Sequence, residues 1–177
     1  MADQISSPAP RGADAITADT VIEDHRWEGA GLVGRATAAV RATLTWHGIA
    51  SGEVVVMGCD DARIAALNAD FRGKPQATNV LSWPADDPAP RAPGTRPDLP
   101  RGDELGDIAI AYDTCMAEAQ AQSKPAADHV THLLVHAVLH LLGYDHHDDA
   151  DAEMMEATER AILKTLDIPD PYHENDA

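Results

Sequence analysis

His136, His140 and His146 are the residues of this chain whose type and spacing best suit them to chemistry. The first two are four apart. If the segment is helical, both imidazoles fall on one face, one turn apart. Gly143 follows and can end the helix in the left-handed conformation. The chain then turns back, and His146 can come round to face the other two. Three neutral imidazoles converging from helix and turn form a tripod for Zn²⁺. The fourth tetrahedral position stays open, the arrangement of a catalytic metal rather than a structural one. Zinc held there lowers the pKa of bound water to about 7.

The neighbouring histidines leave alternatives. His129, His132, His136 and His140 nearly share one helical stripe, so His132 could stand in for one ligand, and His147 competes with His146. The open tripod favours His136, His140 and His146. His129 and His132 are then helix-surface groups or partners that orient the ligands. The spacing is that of H-E-x-x-H-x-x-G-x-x-H zinc hydrolases with one departure, because Ala137 stands where the glutamate base would be. A zinc metallopeptidase fits the ligand spacing but lacks its base. The second candidate for chemistry is Arg72, within Phe71-Arg72-Gly73-Lys74. A guanidinium stays charged and grips phosphate through two parallel hydrogen bonds, which makes Arg72 a candidate phosphate-binding group. No general base stands out. Asp145 could orient a ligand imidazole, and Tyr144 or Asp107 could assist, but each serves equally well as a structural hydrogen-bonding residue.

These groups need elements to position them. Residues 1–14 are rich in Pro, Ser, Gly and Ala and read as a disordered tail. Residues 15–22 form a candidate first strand. Gly31 to Trp46 has helical spacing of Ala, Val and Leu, and Glu53 to Gly58 is a β-branched buried strand. Asp60 or Asp61 caps a helix to about Phe71. Asn79 to Trp83 is a short strand. Pro84 to Asp103 holds six prolines, which remove donors and fix φ, so it is a loop. Leu105 to Tyr112 is a strand, and Asp113 is the expected cap of the next helix. Pro125 suits the first turn of a long helix through His140. Asp148 or Asp149 caps a last helix to about Leu166. The result is an α+β single domain over 15–172, a small mixed sheet of about four strands packed by about five helices. The zinc site lies on a helix and the following turn, and 173–177 form a C-terminal tail.

The chain has 177 residues, enough for one domain with a core. Its two cysteines, Cys59 and Cys115, make neither a disulfide framework nor a cysteine-rich zinc motif. The N-terminus lacks the pattern of a signal peptide, and no apolar run approaches a membrane span, so a cytoplasmic protein with no membrane partner is expected. The net charge of −17 opposes a general nucleic-acid surface and requires any phosphate-binding groups to be concentrated locally. Arg72 and Lys74 are the small candidate.

Several segments in order carry a resemblance to the YbeY family of bacterial zinc-dependent endoribonucleases. His136 to His146 resembles the family's H-G-x-L-H-L-x-G-Y-D-H signature. Leu67 to Lys74 with Ala77 to Pro84 is similar to its L-N-x-x-[YF]-R-G-K…P-T-[ND]-V-L-S-F-P segment, and Leu105-Gly106-Asp107-Ile108 to its L-G-D-[IL] strand. Asp170-Pro171-Tyr172 resembles its end. Ala137 replaces a glycine, Ala77 replaces a proline, and the 84–103 loop is long for the family. The resemblance implies zinc on His136, His140 and His146, and an arginine important for activity at Arg72. It also implies a single-strand-specific endoribonuclease acting in 16S rRNA 3′-end maturation and ribosome quality control, with rRNA and the small ribosomal subunit and its proteins as partners. A non-catalytic metal-dependent ribosome assembly factor is the remaining alternative.

Overall fold

Strand β1 spans Ile16–Ile22 and β2 spans Gly52–Cys59, paired in parallel with Val54 and Val56 buried on one face of β2. A computed structural model describes residues 15–172; the expected tails, 1–14 and 173–177, lie outside the described residues. Between the two strands run α1 (Arg26–Gly29) and α2 (Leu32–Trp46). The four-residue α1 was not expected from periodicity. It is held by Trp27, which is wholly buried and donates from Nε1 to the Cys59 carbonyl at 3.0 Å. Gly58 makes this possible, since a Cβ there would lie 2.6 Å from the Trp27 ring and 2.5 Å from Leu32.

Helix α3 (Asp61–Arg72) begins as expected, with Asp60 accepting from the Arg63 amide at 2.8 Å. It ends on Gly73 in the left-handed conformation. Strand β3 (Val80–Pro84) and β4 (Glu104–Ala111) follow, then α4 (Tyr112–Ala121), α5 (Ala126–Leu141) and α6 (Asp149–Thr165). The sheet order is β1-β2-β4-β3, with β3 antiparallel at the edge, so the expected mixed sheet of four strands is present. Asp113 does not cap α4. Ala111 occupies the cap position, and the Asp113 carboxylate pairs with Arg26 at 2.7 Å instead. Asp148 caps α6, accepting from the Asp151 amide at 2.8 Å.

The main core lies on one face of the sheet, where Leu32 and Leu44 of α2, Leu134 and Leu139 of α5, and Ile162 of α6 meet Val56, Ile108 and Ile110. A smaller core under α3 joins Ile64 to Leu81, Ala109 and Cys59 on the other face. Both cysteines are buried thiols. Among the described residues, no helix is long and apolar enough to cross a membrane. The 85–103 segment carries no regular element, as its prolines require.

Candidate metal centre and cleft

Helix α5 carries His136 and His140 one turn apart, and the chain after it returns through Gly143 at φ 97°. The Gly143 amide donates to the His140 carbonyl at 3.0 Å, and the Tyr144 amide to the Leu139 carbonyl at 3.0 Å, which closes the turn. Tyr144 anchors it, buried, with its hydroxyl 2.8 Å from His47 Nε2. His47 Nδ1 donates to the Thr43 carbonyl at 2.7 Å, so Nε2 accepts from the tyrosine. The Tyr144 hydroxyl is thus engaged by His47 and braces the turn. The turn brings His146 back, and one ligand atom from each of His136, His140 and His146 lies within 4.8 Å of the others. These three side chains could hold a metal ion.

The hydrogen bonds orient two of the rings for this task. His140 Nδ1 donates to the Tyr144 carbonyl at 2.9 Å. His136 Nδ1 donates to the Glu159 carboxylate. With both Nδ1 atoms committed to these oxygens, the Nε2 atoms point inward, and they stand 3.1 Å apart. Burial, then the charges of His136 and His146, pushes the His140 imidazole down to about 4, which keeps it in the neutral form that a metal requires. The donor set fits a borderline ion such as zinc.

Glu159 is the residue that reading the sequence missed. It is wholly buried on α6. Its carboxylate accepts from His136 Nδ1, from His132 Nε2 at 3.0 Å and from the Tyr172 hydroxyl. Burial raises a carboxyl pKa, but the hydrogen bonds from His132 and His136 outweigh it and bring Glu159 down to about 2. Burial and the adjacent carboxylate push the Tyr172 phenol far up, so it remains a donor. His132 stands outside the trio whose ligand atoms converge. Its Nε2 faces the Glu159 carboxylate and, at 3.3 Å, the Tyr172 hydroxyl, while its buried Nδ1 has no hydrogen-bond partner among the described residues. A signal for Glu159 existed in the sequence: with Met155 and Ile162 it falls on the buried stripe of α6, where a carboxylate needs a partner.

The other candidates separate cleanly. His129 pairs with Glu118 at 3.0 Å and His147, on the surface, with Asp145 at 3.3 Å. Asp145 also accepts from the His146 amide at 2.6 Å, so it shapes the turn and orients neither α5 ligand ring. Asp107 is exposed and pairs in register with Trp83, whereas Ser82, which lines the cleft, pairs with Ile108. Asp107 therefore lies on the opposite face of the sheet from the histidines. Arg72, the last residue of α3, reaches the same cleft as the three histidines, a hollow of about 330 Å³ also lined by Asn79, Ser82 and Tyr172. Ala137 lines it too. The 84–103 loop lies elsewhere, against Leu141 to Gly143, where it borders a separate cavity of about 420 Å³.

Fold and site define a single-domain α+β protein whose central helix and following turn present a three-histidine centre beside an arginine. Residues 26–167 match the family described as Endoribonuclease YbeY. The chain belongs to that family. It is 64% identical over 158 residues to the Endoribonuclease YbeY of Paracoccus denitrificans, covering 89% of this chain and 91% of that protein. It is 57% identical over 162 residues to that of Cereibacter sphaeroides, covering 87% and 97%. The solution structure of TM1509 from Thermotoga maritima shares the fold, with TM-score 0.53 at 18% identity over 89% of this chain and 100% of that one.

Proposed function

We propose that this chain is a single-strand-specific, zinc-dependent endoribonuclease of the cytoplasm, acting in 16S rRNA 3′-end maturation and ribosome quality control. Its partners are rRNA and the small ribosomal subunit with its proteins. One observation carries the reading. In a chain of net charge −17, the cleft that gathers Arg72 with the three histidines is lined by no aspartate or glutamate among the described residues. The relatives' shared name, endoribonuclease, agrees with it.

His136, His140 and His146 would hold the zinc, which supplies Lewis acidity toward a phosphoryl oxygen. Arg72 binds the same phosphate and stabilises charge that grows on its equatorial oxygens, a contribution of about 3 kcal/mol for one well-placed donor. Glu159 keeps the His136 lone pair aimed at the cleft and balances positive charge from beneath. A peptidase is disfavoured, because Ala137 stands at the base position and no carboxylate lines the cleft among the described residues.

The test incubates zinc-loaded protein with single-stranded RNA, duplex RNA and casein, beside His140→Ala. Cleavage of the single strand by the wild type alone, with casein untouched, is expected. Intact RNA with the loaded wild type would overturn the reading. In cells depleted of the protein, 16S rRNA with an unprocessed 3′ end should accumulate.

A further inference from the structure

His136 and His140 each have a ring hydrogen bond that fixes orientation, to Glu159 and to the Tyr144 carbonyl. The His146 ring has none among the described residues; it meets only the other rings, at centroid distances of 5.7 Å from His136 and 5.1 Å from His140, and that of His147. The third ligand is therefore aimed by the backbone of its turn. That turn runs from Gly143 to Asp148 and is exposed at His146.

The long proline-rich loop holds both ends of it. Arg91 Nη2 donates to the Gly143 carbonyl at 3.3 Å, three residues before His146. Arg91 Nη1 donates to the Asp151 carboxylate at 2.9 Å, five residues after it. The same nitrogen also donates to the Thr95 carbonyl, which folds the loop around the guanidinium. Asp151 accepts from the Gly94 amide at 2.8 Å as well, and its own amide donates to the Asp148 cap. On the other side Pro97 presses on Gly143, where an added Cβ would lie 3.1 Å from it. The pair is well covered, with Arg91 16% and Asp151 13% exposed, so water competes little for these bonds.

We infer that Arg91 is a positioning residue for the metal centre: its guanidinium spans the two flanks of the turn that carries His146 and sets how tightly that third imidazole holds the ion. The inference rests on the metal-centre reading above. It gives the 84–103 loop a task away from the cleft.

The test compares wild type, Arg91→Ala, Arg91→Lys, Asp151→Asn and His146→Ala. Zinc affinity is read by competition with a chromophoric chelator, and release by transfer to excess EDTA. Partners that orient a metal ligand are worth about 10–100-fold in affinity. Arg91→Ala should fall in that range, with zinc leaving correspondingly faster. Arg91→Lys should recover little, because one ammonium cannot reach both acceptors as a planar fork does. Asp151→Asn, which keeps an oxygen acceptor and removes the charge that holds the Arg91 guanidinium, should move in the same direction and stands in if Arg91→Ala fails to fold. A residue that merely stabilises the loop would lower the melting temperature of the metal-free protein and leave zinc affinity unchanged. Affinity and release rate within twofold of wild type in folded Arg91→Ala, or in folded Asp151→Asn if the former does not fold, would overturn the inference. Were His146→Ala also to bind zinc like the wild type, the metal-centre reading itself would fall. A weakened His146→Ala beside an unchanged Arg91→Ala would remove the inference alone.

Discussion

The Nε2 atoms of His136 and His140 stand 3.1 Å apart, while the Nδ1 of each faces an oxygen of Glu159 or Tyr144. With the Nδ1 atoms directed outward to these oxygens, the two Nε2 atoms oppose each other across that gap. Only a proton or a cation between them makes the arrangement favourable. Purified without chelator, the protein should carry about one zinc per chain, since three neutral imidazoles with one open position make one catalytic-type site. Elemental analysis reads this directly. Metal retained in a His136→Ala, His140→Ala double variant would contradict it.

The metal-free protein should lose stability as the pH falls from about 6.5 toward about 4. An imidazole in the unfolded chain takes up a proton near 6.5, whereas burial holds His140 at about 4 in the fold. Across that window the unfolded state binds more protons, so acid favours unfolding, and the stability present above 6.5 is lost on the way down. Urea midpoints measured in chelator at stepped pH should decline through it. A flat profile would show that His140 is not held neutral.

Glu159→Gln should weaken zinc binding about 10–100-fold, the range for losing a partner that orients a ligand. The amide cannot accept from His136, His132 and Tyr172 as the carboxylate does. Glu159→Ala takes the shared carboxylate from all three donors and should cost about 3 kcal/mol or more, as when one partner of a buried ionic group is removed. Chelator competition and thermal melts separate the two effects.

Arg72→Ala should lower RNA cleavage about 100-fold, the typical loss of one preorganised charge donor. Fold and zinc content should stay intact, because the side chain is exposed at the end of α3. Arg72→Lys should rescue poorly, as an ammonium cannot make the paired contact. Unchanged turnover in Arg72→Ala would leave it a surface residue.

Ala137→Glu should suppress RNA cleavage beyond Ala137→Gln and gain no activity on casein. Position 137 is almost wholly buried yet lines the cleft, so either side chain crowds α5. The glutamine control removes that crowding from the comparison and leaves the repulsion between carboxylate and phosphate. Casein hydrolysis in the glutamate variant would favour the peptidase.

The tripod was legible because its ligands are neighbours along the chain. Helical spacing faces His136 and His140 the same way, and a glycine turn returns His146. Arg72 shares no such local signal with them, and its place in the cleft follows from α3 ending beside the edge strand β3. Glu159 comes from another helix, and its pairing with His136 is tertiary. The strand order β1-β2-β4-β3 is likewise a property of crossovers, not of strand composition. Asp113 shows a local rule overridden: its carboxylate suits a cap, but Arg26 draws it away. Helix α1 is too short to show periodicity and exists because Trp27 fills the core over Gly58.

Glu159 lies 23 residues beyond His136 in the chain, on the last helix of the described fold. During synthesis the histidines emerge first, and they emerge without the anion that orients them. Until α6 has been made and has docked on α5, His136 lacks the carboxylate that orients its ring, and the half-built centre holds an ion more weakly. The order of translation thereby delays competence in the nascent protein until its domain is whole.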